Sequence, residues 1–340
     1  MKIECNKCHT VYLLNENRLH GKPRAKVRCR HCQNVMSIDI SHLKTTGQKG
    51  WPVSLPENLL FGEDLKKVII SNFKNLYPMP HIMLKARQLL SDPMSDFKEI
   101  GKLVKTDQAL ASRILKVANS AYYGMSGQVS TIQQAGFLLG SRALVRIITM
   151  LGQSKMQKTA LKGYGINSGD MWRHSLAVAV GSDIIAKEIS PEYSGEAFLT
   201  GLLHDAGKIL LDSYILERKD VFNEISRTNH NSMIEIEEKV LGIDHAIVSS
   251  ELCINWNLPE FVAQAIRFHH HPSSSKANLL AYVIHAADTI AHMTDSSTFK
   301  LARSSGMENG LKFLHMDEKG LQNLVRRIFE NVESLEEDTY

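Results

Sequence analysis

Two groups of residues in this chain have the types and spacing of metal ligands. The first is a double thiolate pair, Cys5-x-x-Cys8 and Cys29-x-x-Cys32, with twenty residues between the pairs. Each x-x spacing lets two sulfurs take one face of a tetrahedral Zn²⁺, and the second pair closes the shell. A closed four-thiolate set leaves no position for substrate, so these residues predict a structural zinc. The second group is made of imidazoles and carboxylates. His174 comes first, then the adjacent pair His204-Asp205 within Gly201-Leu202-Leu203-His204-Asp205-Ala206-Gly207-Lys208. His245, His269-His270-His271 and Asp288 follow. Eight of the fifteen histidines fall between His174 and His285. A mixed nitrogen and oxygen set suits a divalent ion such as Fe²⁺ or Mn²⁺ and selects weakly among them. A single histidine on an apolar helix is more often a core residue, and His230, His271 and His285 are assigned to the core or the surface.

The elements that position these groups differ in kind. Residues 1–40 show strand-like alternation at Val11-Tyr12-Leu13 and Val35-Met36-Ser37-Ile38, which predicts a small β-type zinc ribbon. A forty-residue unit has too little core to fold without its metal. Residues 41–57 are polar with Gly and Pro and read as a linker. From residue 58 the apolar positions recur at helical spacing, as in Leu65, Val68, Ile69 and Phe73. The same holds for Leu110, Ile114 and Leu115, and for Leu144, Ile147, Ile148 and Leu151. Pro78 and Pro80 break the pattern; His81 to Leu90 forms a short helix, and Ser95 and Asp107 are the expected caps of the next two. Ser130 or Thr131 starts a helix through Leu139, and Ser141 starts its successor. Ser168 or Asp170 caps the helix carrying His174. His204 and Asp205 are expected as neighbours on one helix, about 100° apart around it. After residue 293 one more helix follows, capped by Asp317 and carrying Leu321, Leu324, Val325 and Ile328, before a frayed acidic end, Glu333 to Tyr340.

Composition narrows the class. With 43% apolar and 22% charged residues, the 340-residue chain is ordinary for a globular protein. Its net charge of +4 is unevenly spread. Residues 1–40 hold Lys2, Lys7, Arg18, Lys22, Arg24, Lys26, Arg28 and Arg30 against Glu4, Glu16 and Asp39, which leaves the remainder close to neutral. The bulk of the chain is therefore no electrostatic nucleic-acid binder. No apolar run reaches the roughly 20 residues of a membrane span, and the N-terminus has no signal-peptide core. Five cysteines, four of them paired as above and Cys253 alone, fit a reducing compartment. The expected location is the cytoplasm, with no membrane partner.

The order of several short motifs resembles HDOD domains, all-helical signalling relatives of the HD phosphohydrolases. They are Leu76-Tyr77-Pro78-Met79-Pro80, Leu89-Leu90-Ser91-Asp92-Pro93, Lys105-Thr106-Asp107-Gln108-Ala109, Ala118-Asn119-Ser120-Ala121-Tyr122-Tyr123-Gly124 and Leu138-Leu139-Gly140. The likeness continues through Trp172-x-His174-Ser175, the His204-Asp205 block, Gly242-Ile243-Asp244-His245, Trp256-x-Leu258-Pro259, His269-His270 and Ala286-Ala287-Asp288, over roughly residues 70–292. Thr106-Asp107-Gln108 departs from the family, which usually has Asp-Pro there. The resemblance implies an all-α helical bundle over 58–292, with a first half at 58–160 and an HD-like half at 168–292, and leaves 293–340 as an extension. It implies His174, His204, Asp205 and Asp288 as ligands of one metal, and His245 with His269 or His270 as ligands of a second. Lys208 matches a lysine that positions phosphate or donates a proton in the phosphodiesterase branch, a role it would have only in an active enzyme. That branch also shows His-His-Glu and a Gly-Tyr-Pro loop, where this chain has His269-His270-His271-Pro272-Ser273-Ser274-Ser275. The N-terminal segment resembles the short finger-like zinc ribbons of various bacterial proteins.

These observations lead to the expectation of a cytoplasmic bacterial signalling protein, whose HDOD domain is a metal-binding and mostly non-catalytic interaction module for other signalling proteins. A metal-dependent phosphohydrolase acting on a nucleotide or cyclic dinucleotide is the alternative. A regulator that binds nucleic acid through the ribbon is a weaker one, because no aromatic residues interleave with the basic ones to stack on bases.

Overall fold

The computed structural model describes residues 59–76, 108–124, 129–157, 159–228, 232–294 and 318–339, together with four short strands before them. The chain divides into two compact units, Met1–Glu57 and Asn58–Tyr340. In the first, β1 (Lys2–Glu4) pairs antiparallel with β2 (Val11–Leu13), and β3 (Arg24–Arg28) pairs antiparallel with β4 (Val35–Asp39). Cys5, Cys8, Cys29 and Cys32 lie outside the described residues. So do the 41–57 linker, the helix expected over His81 to Leu90, and the caps expected at Ser95, Asp107 and Asp317.

The second unit is mostly helical. Its described helices are α1 (Gly62–Leu76), α2 (Gln108–Ala118), α3 (Ile132–Gln157), α4 (Asp170–Ile189), α5 (Ser194–Leu203) and α6 (Gly207–Leu216). They continue with α7 (Lys219–Thr228), α8 (Met233–Leu241), α9 (His245–Asn255), α10 (Glu260–Arg267), α11 (Leu279–Thr294) and α12 (Glu318–Thr339). Among the described residues no helix is long and apolar enough to cross a membrane.

Helix α4 is the axis of this unit. Fifteen of its residues are buried, from Met171 to Ala186, because α5, α11 and α12 cover it from different sides. Small residues permit the close approach. A Cβ on Gly201 of α5 would stand 2.8 Å from the Val178 carbonyl oxygen of α4. The helix begins without either expected side-chain cap. Its N-cap is Gly169, whose φ of 91° is left-handed, a conformation glycine adopts without penalty. Asp170 instead accepts a hydrogen bond from Asn167 at 3.0 Å and sits in the first turn, where the helix dipole favours it.

At the start of α3, Gln134 accepts from the Ser130 and Thr131 amides while its own amide donates to Thr131 Oγ1. This is a capping box. The expected break after Leu139 takes the form of a kink at Gly140, where φ is 81° and ψ 166°.

The acidic end is not frayed. Helix α12 runs to Thr339, because Leu324, Ile328, Val332 and Leu335 extend one buried stripe at helical spacing. Arg173 of α4 grips Glu336 with two nitrogens at 2.8 and 3.0 Å.

Candidate metal centre

The predicted ligands come from successive helices and meet beside α4. His174 projects from α4, where it is buried. His204 and Asp205 stand in the tight joint between α5 and α6, where the expectation was one helix. The joint is closed by bonds from the Ala206 amide to the Leu203 oxygen (3.0 Å) and from the Lys208 amide to the Asp205 oxygen (2.9 Å). It is possible because Gly207 has no side chain: a Cβ there would lie 2.3 Å from the His245 carbonyl oxygen. His245 is the first residue of α9, whose N-cap, Asp244, accepts from the Ile247 amide at 2.8 Å. His269 and His270 occupy the turn after α10, and Asp288 lies midway along α11.

The rings are oriented by their far nitrogens. His204 Nδ1 donates to the Gly201 oxygen at 2.7 Å, and His269 Nδ1 to the Ile266 oxygen at 2.6 Å. His245 Nδ1 donates to Glu237 at 2.7 Å. These partners place a proton on Nδ1 in each ring and turn Nε2 inward.

The inward atoms crowd together. His174 Nε2 is 3.2 Å from Asp288 Oδ1 and 3.7 Å from Asp205 Oδ2. His204 Nε2 is 3.4 Å from Asp205 Oδ2 and 3.7 Å from Asp288 Oδ1. On the other side of Asp205, its Oδ1 is 3.0 Å from His245 Nε2, which is in turn 2.9 Å from His270 Nε2. Donors about 2.1 Å from a common ion stand roughly 3 to 4 Å apart, so these separations suit ligation. Four sets of donor atoms lie within 4.8 Å of one another: Asp205/His245/His269/His270, His174/His204/Asp205, His204/His269/Asp288 and His174/Asp288/His292. Asp205 belongs to the first two and can bridge neighbouring cations. Despite burial, His174 Nδ1 and His269 Nε2 make no hydrogen bond, while Nε2 of His174 and His204 and Oδ1 of Asp205 and Asp288 face other atoms of the cluster at 3.0 to 3.7 Å.

The electrostatics hold both carboxylates ionised and divide the imidazoles between raised and lowered rings. Burial works against charge on Asp205, but the neighbouring His204, Lys208 and His245 outweigh it and hold the carboxyl well below its usual range. Asp288 is held down in the same way by His292, His174 and His204. Burial and the positive charge of His204 and His245 push His269 to about 3, so that ring stays neutral. His270 is lowered by burial and by His269. His245 moves the other way. Burial favours its neutral form, but the Glu237 carboxylate, with Asp205 behind it, lifts it to about 9.

Three participants carry no mark in the sequence reading. Glu237 of α8 is fully buried. It accepts from His245 Nδ1, from the His245 amide at 2.7 Å and from the Tyr164 hydroxyl at 2.8 Å. Tyr164 sits in the loop before α4. His292 follows Asp288 by one helical turn, with Nε2 3.3 Å from Asp288 Oδ1; that spacing could have found it, whereas nothing local marks Glu237 or Tyr164. Lys208 reaches Asp205 Oδ2 at 2.5 Å, and burial of its ammonium is outweighed by Asp205 and Glu237, which keep it charged. His285 has a positioning contact only, its Nδ1 donating to the His269 oxygen at 2.8 Å. His271 is exposed, and His230 lies outside the described residues. A cavity of about 260 Å³ opens over the cluster, lined by Gly165, Ile166, Met171, His174, Lys208 and His292 among others.

A helical domain that gathers a histidine, a His-Asp pair and a later aspartate beside one central helix has the HD-type arrangement. The family model described as the HDOD domain matches residues 76–272, more than half of the chain, and the chain belongs to that family. The model described as a zinc-ribbon domain matches residues 1–37. Among curated proteins, an uncharacterised protein of Treponema pallidum (strain Nichols) is 23% identical over 236 residues, which are 68% of this chain. The match spans only 45% of that relative's own length.

Solved structures share the fold. A provisionally named phosphohydrolase from Shewanella amazonensis SB2B superposes with a TM-score of 0.63 at 20% identity, covering 80% of this chain and 98% of that one. An HDOD domain protein of unknown function from Geobacter sulfurreducens gives 0.63 at 23% identity, covering 80% and 97%. A provisionally named signal transduction protein from Marinobacter aquaeolei VT8 gives 0.60 at 21% identity, covering 82% of this chain and 64% of that one.

Proposed function

We propose that this chain is a bacterial regulatory protein whose HDOD domain works as a divalent-metal-dependent module. The observation that carries this reading is the crowding of buried imidazole nitrogens and carboxylate oxygens of His174, His204, Asp205, His245, His269, His270 and Asp288 in overlapping sets whose atoms lie within 4.8 Å of one another. Gathering that many polar atoms away from water is costly, and a divalent cation among them offsets the cost. His174, His204, Asp205 and Asp288 would hold one ion. His245, His269 and His270 would hold a second, with Asp205 shared. Fe²⁺, Mn²⁺ or a similar ion suits this set. In the same reading the N-terminal unit is a β-type ribbon folded by zinc on Cys5, Cys8, Cys29 and Cys32, and the protein relays a state to other signalling proteins in the cytoplasm. The name of the Marinobacter aquaeolei protein supports this direction.

A phosphohydrolase is the second reading, and the cavity beside Lys208 and Asp205 favours it. A bound ion would there acidify water and neutralise charge on phosphoryl oxygens. Lys208, which lines the cavity, would orient a phosphate there. The name of the Shewanella amazonensis protein points the same way.

Elemental analysis of the purified protein and of Asp205→Ala tests the first reading. Metal beyond the ribbon's zinc is expected in the unaltered protein and is lost in the variant. Equal metal content in both overturns the metal-dependent module. With Mn²⁺ or Fe²⁺ and a panel of nucleotides and cyclic dinucleotides, turnover that Asp205→Ala abolishes would replace the regulatory reading with the hydrolytic one.

A further inference from the structure

The third of the three-residue donor sets, His174, Asp288 and His292, differs from the others in where it faces. His292 lies on the cavity side of the cluster, and its side chain is 61% exposed, whereas those of His174 and Asp288 are each 8% exposed. Its Nε2 is 3.3 Å from Asp288 Oδ1, on the same oxygen that His174 Nε2 approaches at 3.2 Å. The His174 and His292 rings are tilted by 34° with centroids 4.6 Å apart. His174 Nδ1 is buried without a hydrogen-bond partner, and its Nε2 has the Asp288 carboxylate in front of it. His292 has no anchor comparable with those of His204, His245 and His269, which are fixed through Nδ1. Its position one turn after Asp288 therefore offers a ligand that can reach the ion and also swing away.

We propose that His292 is a displaceable cavity-side ligand: it joins His174 and Asp288 in holding an ion, and an oxyanion entering the cavity takes its place. The inference rests on the metal-centre reading above. An ion with a closed set of protein ligands does no hydrolysis, and one with an open position can. His292 is thus the residue on which the two functional readings turn. The cavity is lined by Lys208, paired to Asp205, and by the Asp170 carboxylate, so the charge that would draw an oxyanion is the ion's own. Phosphate or a phosphate-bearing small molecule has the right charge and the right oxygen donors.

The test compares the full-length protein with His292→Ala after loading both with Mn²⁺, an ion that a four-thiolate ribbon binds poorly. Water-proton relaxation reads the exchangeable water on the bound ion, and inorganic phosphate is titrated as the probe. The expected result is an additional exchangeable water in the variant, with phosphate displacing it at roughly tenfold lower concentration than in the unaltered protein. Equal relaxation and equal phosphate response in two Mn²⁺-loaded proteins overturn the assignment of His292 alone. Absence of bound Mn²⁺ from both overturns the metal centre and this inference with it. His292 is exposed, so the variant is expected to fold; the far-ultraviolet circular dichroism of the two proteins should coincide.

Discussion

Glu237→Gln is the perturbation that separates the ligand shell from its support. Glu237 touches no other member of the cluster than His245, yet it is fully buried and accepts from the His245 ring, the His245 amide and the Tyr164 hydroxyl. Glutamine keeps the shape and one acceptor oxygen and removes the charge. Two effects on metal binding then oppose each other. Losing a carboxylate behind a ligating imidazole weakens the ligand, typically by about 10–100-fold in affinity. The same carboxylate also holds a proton on His245 up to about 9 in the metal-free protein, and that proton must leave before a metal can bind. His245 therefore raises metal affinity as pH climbs, by about tenfold per unit, until the pH passes 9. At pH 7 the proton weakens apparent binding by roughly 100-fold, and Glu237→Gln relieves that competition by returning the ring toward its ordinary value. The two effects nearly cancel at pH 7, and only the weakened ligand remains at pH 9.5. Anaerobic Mn²⁺ titrations against a fluorescent chelator at both pH values measure this. A ratio of affinities that stays constant with pH refutes the proton coupling. Unchanged affinity at pH 9.5 refutes His245 as a ligand.

Other perturbations test the supporting structure. Gly207→Ala drives a Cβ toward the His245 carbonyl oxygen, 2.3 Å away; it should cost about 1–3 kcal/mol in chemical denaturation and weaken metal binding along with it. Asp183 is fully buried and is held by Arg146, Lys187 and the Tyr122 hydroxyl, each at 2.8 Å. Tyr122→Phe should lower the unfolding free energy by about 1.5–3 kcal/mol. Asp183→Asn should lower it by about 3–5 kcal/mol, because Arg146 then stays buried without its counter-charge. A denaturation midpoint unchanged in Asp183→Asn would show that this network contributes nothing net. Cys29→Ser should release the ribbon's zinc while leaving the helical circular dichroism signal intact; loss of that signal would show that the two units fold as one.

The Tyr122 network also explains a motif that had no chemistry of its own in the sequence. Asn119-Ser120-Ala121-Tyr122-Tyr123-Gly124 reads as a turn, and it is one: Asn119 bonds the Val129 backbone on both sides, at 2.7 and 2.9 Å, and Gly124 is left-handed at φ 60°. The part that spacing could not reveal is the 61-residue reach from Tyr122 to Asp183 on α4. This contact ties the first half of the HDOD domain to the helix that carries His174. Glu237 and Tyr164 were illegible for the same reason. Each acts through packing between distant segments, and a glutamate inside Ile234-Glu235-Ile236-Glu237 looks like any exposed helical acid. The end of α12 failed differently. Its charge suggested fraying, and the stripe of Leu324, Ile328, Val332 and Leu335 overrode that suggestion by finding α4 to cover.

The gathering of His174, His204, Asp205, His245, His269, His270 and Asp288 was legible in residue type and motif order; how two of the rings are aimed depends on helix ends. His204 stands just after the last residue of α5 and His269 two residues after the last of α10. The final carbonyls of a helix have no intrahelical donor, and a histidine at that point can give its Nδ1 proton to one of them three residues back. Both rings do so, to Gly201 and Ile266. The bond gives that carbonyl a side-chain donor, and it turns Nε2 inward. The C-terminal dipole, which favours protonated imidazole, is overridden at His269 by burial and by its charged neighbours, so the ring there stays neutral. A histidine placed directly after an apolar helical run therefore carries more information than a histidine count. His174 lacks this device and lies within α4, its Nδ1 without a hydrogen bond. His292 also lacks it, and faces the cavity. His174 and His292 line the cavity, while the anchored rings of His204 and His269 are fully buried behind it.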